Sequence, residues 1–240
     1  MKRLIALLAL LPLLAMGGGQ TVMTGNHRHV FATAGENPAY VSSSFVYYST
    51  TGGSTGTNSW PITVTCSGGE TVILALTHNR SGYSSISWSA TNGNTIAIGG
   101  DYINYTNNVI ADAHISSCVA GSTTITVTVS GTYGSGQLMA ARFTGLVSQT
   151  LDAAGTLNTG SSTTPSCAVS AAASRELIIV NGYDSGGSGF IDSPSGFVQQ
   201  YYSGYGYWVL NYNLTGSAGT NTFTETTGTG SWTCVALAYK

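Results

Sequence analysis

Residues 122–130 read STTITVTVS, nine positions that alternate without a break. Successive side chains of an extended chain point to opposite faces, so Ile125, Val127 and Val129 line one side and Thr124, Thr126 and Thr128 the other. A slip of one residue would exchange the faces, so this patterning commits the segment to a half-buried strand. The same period of two, bounded by Gly, Ser and Asn, recurs in YVSSSFVYY, PITVTC, ETVILALTH, SSISWS, VIADAHISS, QLMAARF, RELIIVNG, FVQQYY, GYWVLNYN and SWTCVALAY. Helical periodicity is nearly absent after the first sixteen residues. The expectation is an all-β chain, an antiparallel β-sandwich of jelly-roll-like type.

Charged residues make up 7% of the 240 positions and hydrophobic ones 42%. An ordinary globular domain carries roughly 25% charge, so the surface here must be built from neutral Ser, Thr, Asn, Gly and Tyr. Disorder is excluded, because it goes with high net charge and scarce apolar residues. The net charge of −2 becomes about −4 without Lys2 and Arg3, and no basic stripe remains to track phosphates. Nucleic-acid binding is therefore set aside.

The chain opens MKRLIALLALLPLLAM, a cationic start and then an apolar run from Leu4 to Met16. Such a run is shorter than the ~20 residues that span a bilayer and matches a signal peptide, with small residues at Ala15 and Gly17 to Gly19 for cleavage. Residues 1–19 are read as that peptide, leaving a secreted or cell-surface chain with no integral membrane span. An oxidising compartment makes Cys66, Cys118, Cys167 and Cys234 an even set, expected as two structural disulfides with the pairing open. No Cys-x-x-Cys occurs, which argues against zinc.

Two halves, 40–145 and 146–240, echo one another. GGETVILAL at 68–76 parallels SRELIIVNG at 174–182, matching Glu70 with Glu176, and AGSTTITV at 120–127 parallels AGTNTFTE at 218–225. One sandwich with a pseudo-repeat is expected over two independent domains, because each half has few strands for a core of its own. Residues 20–39 read as an N-terminal arm or added edge strand, through which self-association by strand addition could run.

The succession ITVTC-SGGETVILAL, SISW, AGSTTITVTVSG, AARFTGL, TTPSCAVS, RELIIV and SWTCVALAYK resembles the two-part, low-charge β-sandwich domain of uncharacterised bacterial surface proteins and phage structural proteins. The resemblance covers residues 40–240 and implies exposure on a cell or virion surface without an established reaction. Four cysteines and a leader depart from the usual pattern and favour the secreted or cell-surface branch.

Few motifs carry chemistry. GGSTG at 52–56 has the Gly-x-Ser-x-Gly spacing of a nucleophile elbow, but no strong strand leads to Ser54 and no helix follows. Asp112 and His114 share one face of a strand, where a carboxylate could orient an imidazole, yet the apolar partners Val109, Ala111, Ala113 and Ile115 leave that pair facing solvent. His27 and His29 form a two-ligand metal spacing with no third ligand beside it except Glu36. The nine acidic residues are scattered, DSGGSG at 184–189 reads as a glycine loop, and no calcium loop is seen. Neither metal nor cofactor is expected. The sequons at Asn79, Asn104 and Asn213 are at chance frequency in so Ser/Thr-rich a chain.

Function is read from the neutral surface and from YYSGYGYWVLNYN at 201–213. Sugar sites pair aromatic faces with hydroxyl and amide hydrogen bonds. The first expectation is an exported, non-enzymatic recognition or adhesion protein for a glycan or cell-surface polymer. Tyr205, Tyr207, Trp208 and Tyr212 would stack, with polar contacts from Asn211 and Asn213. A structural subunit of a filament, envelope layer or virion is the second, and a hydrolase using Asp112 and His114 the third. Alternation alone places Trp208, Leu210 and Tyr212 in the core, whereas aligning the two halves places them on the Asp112 and His114 side. A one-residue bulge would reconcile these readings.

Overall fold

A computed structural model describes residues 37–42, 44–50, 54–104, 108–184, 196–202, 208–226 and 230–240. Among them every regular element is a strand, and all strand pairing is antiparallel. The first half holds β1 (Ala39–Tyr40), β2 (Val46–Thr50), β3 (Ser54–Cys66), β4 (Glu70–Ala90), β5 (Ile96–Asn104), β6 (Asn108–Cys118) and β7 (Gly121–Thr144). The second holds β8 (Leu151–Ala154), β9 (Asn158–Gly160), β10 (Ser166–Ala171), β11 (Glu176–Asp184), β12 (Val198–Tyr202), β13 (Trp208–Gly216), β14 (Gly219–Thr224) and β15 (Trp232–Tyr239).

Among the described residues, strand pairing does not cross between the halves. The first forms one sheet of order β1-β7-β4-β6-β5, with β2 and β3 also on β7. The second forms a sheet of order β12-β13-β11-β15-β8, with β9 on β15, and a separate β10-β14 pair.

At 21 and 24 residues, β4 and β7 are far longer than the usual 3–10 residues of a strand, and their antiparallel ladder doubles back over itself. Register shifts at His78/Arg80, Arg80/Tyr83 and Tyr83/Ser85 mark the bend. Leu74 and Leu76 before the bend and Ile86 and Trp88 after it line the same core. Val127 and Val129 likewise face Leu138 and Ala140 across it. Trp60 of β3 fills the fold: a Cβ on Gly136 would lie 2.3 Å from Cη2 of its ring.

Three cores result, and they define four layers. The first lies inside the first half, where the alternation of residues 122–130 is realised: Ile125, Val127 and Val129 are buried and the intervening threonines are half-buried. The third lies inside the second half, between β10-β14 and the β11, β15 sheet, around Cys167, Ile178, Val180, Phe223 and Ala236. The second joins the halves, with Ile73, Met139 and Phe143 packed on Leu177, Ile179, Tyr212, Val235 and Leu237. Each half thus has a core of its own, contrary to the expectation from strand number, and the two inner sheets are covered on both faces. Two-sided burial explains why β11 and β15 are buried at every position.

Both disulfides form, Cys66–Cys118 and Cys167–Cys234. Each ties an outer layer to the inner sheet of its own half. The turns before β4 and β11 are also alike. Gly69 (φ 77) and Arg175 (φ 66) are left-handed. Their amides donate to Cys118 O and Gly216 O, and the next residues, Glu70 and Glu176, accept from the amides three positions back, Ser67 and Ala173. The β1 pairing of Ala39 and Tyr40 with Thr144 and Phe143 places the end of the 20–39 segment and the start of the sandwich on a sheet edge.

Candidate functional site

The first half turns a broad hydroxyl face to solvent. The alternation that buries Ile62, Val64, Ile125 and Val127 sends the other side chains of the same strands outward. On β3 these are Thr57, Ser59, Pro61, Thr63 and Thr65, and on β7 they are Ser122, Thr124, Thr126, Thr128 and Ser130. Registration is direct: Thr57 opposes Ser130, Ser59 opposes Thr128 and Thr63 opposes Thr124, with oxygens 3.0, 3.2 and 3.2 Å apart. On the other flank of β7, Ser85, Ser87 and Ser89 of β4 oppose Ser130, Thr128 and Thr126. Pro61 is tolerated because β3 pairs only with β7 and is an edge strand.

The lattice spacing is roughly 4.8 Å across strands and 6.7 Å along them. A hydroxyl carries one donor and two acceptor sites, so each Ser/Thr pair keeps a donor and acceptors free for a ligand. None of these positions is charged. A smaller face of the same kind lies on β10-β14, where Ser166 and Ser170 oppose Thr224 and Thr220 at 3.1 and 3.4 Å.

Of the aromatic cluster, Tyr212 follows the alternation into the core and so loses the stacking role expected of it. Tyr212 is 5% exposed, stacked on Tyr40 at 5.3 Å and edge-on to Phe143 at 5.4 Å in the core between the halves. Asn211 is buried on the opposite side of β13, facing the third core, and Asn213 bonds Thr215. Tyr212 and Asn211 are thereby removed from any ligand surface, because both faces of β13 are covered. Trp208 begins β13 opposite Tyr183. Tyr205 and Tyr207 lie outside the described residues, as do the leader, His27 and His29, and most of 184–189.

Asp112 and His114 do share one face of β6, but it does not meet solvent. They are 0% and 4% exposed, because the second half packs on that side. Asn181 of β11 donates to Asp112 Oδ1 at 3.1 Å and accepts from Thr77 at 2.9 Å, bridging the halves. His114 lies edge-on to Tyr239 at 5.3 Å, and burial lowers its pKa, favouring the neutral ring. Sealed in this way, the pair has no visible path to a substrate among the described residues. Ser54 starts β3 and runs straight on as strand, without the turn into a helix that an elbow needs. The described residues hold no group of three or more metal-ligating side chains, and no helix there is long and apolar enough to cross a membrane.

Two ion pairs follow the glutamate turns. Arg142 donates to both oxygens of Glu70 at 3.1 and 2.9 Å. In the second half Lys240 contacts Asp152, beside buried Glu176. Lys240 holds the Asp152 carboxyl below its usual range, and Asp152 in turn raises the Lys240 ammonium. Burial pushes Glu176 up. Neither the hydroxyl lattice nor this trio was singled out from sequence, although STTITVTVS opposite TNSWPITVT contains the first.

Comparison with known proteins finds no matching family model, no matching curated protein and no matching solved structure.

Proposed function

We propose that the protein is an exported, non-enzymatic recognition or adhesion module that lays its β3-β7-β4 face on a neutral, hydroxyl-rich polymer such as a cell-surface polysaccharide. The uncharged, registered Ser/Thr lattice carries this reading: it offers donors and acceptors at regular spacing and no charge to desolvate. Two disulfides and the basic, apolar leader support export. The binding role moves from the aromatic strand, whose Tyr212 and Asn211 are buried, to the outer sheet.

The test is co-sedimentation with a panel of insoluble, uncharged polysaccharides, comparing wild type with Thr126→Lys. Thr126 lies on the middle strand between Pro61 and Ser89, so the variant plants a charge at the centre of the face. Wild type is expected to pellet with at least one polymer and the variant, folded by circular dichroism, to stay in solution. Wild type that pellets with none, or a variant that pellets equally well, overturns the reading.

A structural subunit is the second reading, favoured by one observation. Among the described residues β5 is the outermost strand of its sheet, and it carries Ile98, 59% exposed. Concentration-dependent oligomers abolished by Ile98→Lys would support it, and a strict monomer at high concentration would end it.

A further inference from the structure

At one end of the second half, three ionisable side chains meet on neighbouring strands. Asp152 is on β8, Lys240 directly follows β15 and Glu176 opens β11, and in the sheet β15 lies between the other two. Lys240 is held by its backbone, with its amide donating to Thr150 O at 3.2 Å and its carbonyl accepting from Ser148 N at 3.0 Å. Its Nζ meets Asp152 Oδ1. Asp152 Oδ2 accepts from Ala172 N at 3.0 Å, and Glu176 Oε1 from Ala173 N at 2.7 Å, so one turn fixes both carboxyls. Of two neighbouring carboxyls, the one whose pKa is pushed up holds a proton more readily. Burial and the neighbouring Asp152 push Glu176 up, while Lys240 holds Asp152 down. Lys240 is the chain's lysine outside the leader, the other being Lys2.

We propose that Lys240 and Asp152 condense into an intramolecular side-chain amide, with Glu176 as the acid that drives off the water. The Lys240 ammonium first passes a proton to the Asp152 carboxylate, giving a neutral amine and a neutral acid. The Nζ lone pair attacks Asp152 Cγ and forms the C–N bond. Glu176 protonates the departing hydroxyl as the C–O bond breaks, and then recovers a proton from the nitrogen. One ammonium and one carboxylate are consumed, one amide and one water are produced, and net charge is unchanged. No oxidant, metal or nucleotide is required.

Positioning supplies the drive. Effective molarities of about 10⁵–10⁸ M are reached when reacting groups are held in an attack geometry. The Asp152 side chain is 7% exposed, so converting the ion pair to an amide also removes the cost of keeping a carboxylate out of water. The first half has the same glutamate turn but an arginine, Arg142, as its cation. A guanidinium stays charged and cannot form the amide, so the bond belongs to the second half alone. It would fasten the last strand to β8 with a link that reducing agents do not open.

The test is mass spectrometry of the purified full chain after reduction of its disulfides. A proteolytic digest is expected to contain one branched peptide joining the Asp152 and Lys240 fragments, lighter than their sum by one water. Lys240→Arg is expected to give both fragments separate and at full mass, and Glu176→Gln to leave wild-type-like fold with the link lost or formed many-fold more slowly. Separate, full-mass fragments from wild type after prolonged incubation mean an ion pair only and overturn the proposal. A link formed at the wild-type rate in Glu176→Gln overturns the role given to Glu176.

Discussion

Tyr212→Ala distinguishes a core tyrosine from a ligand-facing one by magnitude. The ring is 5% exposed, stacked on Tyr40 at 5.3 Å with 23° between planes and edge-on to Phe143 at 5.4 Å with 77°. Truncating a buried aromatic to Ala costs about 3–5 kcal/mol, of which each ring pair supplies about 0.5–1.5 kcal/mol beyond area burial. The assay is urea unfolding followed by tryptophan fluorescence. A chain of this size has a slope of about 3 kcal/mol per M, so the midpoint should fall by roughly 1 to 1.7 M with the slope unchanged. A double-mutant cycle with Tyr40→Ala should return about 0.5–1.5 kcal/mol of coupling, because Tyr40 and Tyr212 come from different halves. An exposed side chain would cost within about 0.5 kcal/mol. A midpoint shift below about 0.3 M, with no coupling to Tyr40, would refute the placement of Tyr212 between the halves.

Removing Cys66–Cys118 or Cys167–Cys234 by paired Cys→Ala changes should cost about 4 kcal/mol each by loop-closure entropy, since they close separations of 52 and 67 residues, and thermal unfolding under non-reducing conditions checks this. Gly136→Ala should destabilise by about 1–3 kcal/mol, because the added carbon meets Trp60 and lies 2.6 Å from His78 Cβ; a shifted urea midpoint measures it. For His114 the folded pKa is below the unfolded value, so the unfolded state binds more protons as pH falls below about 6.5. Its contribution to stability is therefore lost on acidification, and the stability difference between wild type and His114→Phe should move against wild type between about pH 7.5 and 5.5.

The half-buried strands were legible because alternation is a local signal. STTITVTVS predicted which of its residues would be buried, and the structure places Ile125, Val127 and Val129 inside as read. The second face of β6 and β13 was not legible in the same way, because it depends on a layer contributed by the other half of the chain. Asp112 and His114 looked like a solvent face on a strand considered alone, and Leu210 and Tyr212 looked like a core face. His114 stands opposite Ile73 and Tyr212 opposite Ile179, and both side chains face the packing between the halves. The polar face proved buried as well, so burial does not separate the alternation from the alignment. A signal was available in the neighbours: TVILAL and ELIIV are continuous apolar runs, and strands paired to such runs are candidates for two-sided burial. The lysine trio is not legible in the sequence, because Asp152, Glu176 and Lys240 are far apart and no local pattern joins them.

Stacking two apolar sheets gives cohesion but little direction, since hydrophobic burial is non-directional. The interface between the halves could slide by a strand or a residue pair with small loss of area. Thr77, Asp112 and Asn181 restrict that freedom, because their hydrogen bonds at 2.9 and 3.1 Å join β4, β6 and β11 in one alignment, and a slide would leave them unmade inside the core. An unmade buried hydrogen bond costs about 1–3 kcal/mol, so the polar bridge penalises misalignment more strongly than it adds to cohesion. In a chain with so few charges to steer its packing, a small buried polar set does what surface ion pairs cannot. The hydroxyl lattice on the outer sheet depends on it only indirectly: the inner sheets must be held in place before the bent β4·β7 ladder can present its hydroxyl face to solvent.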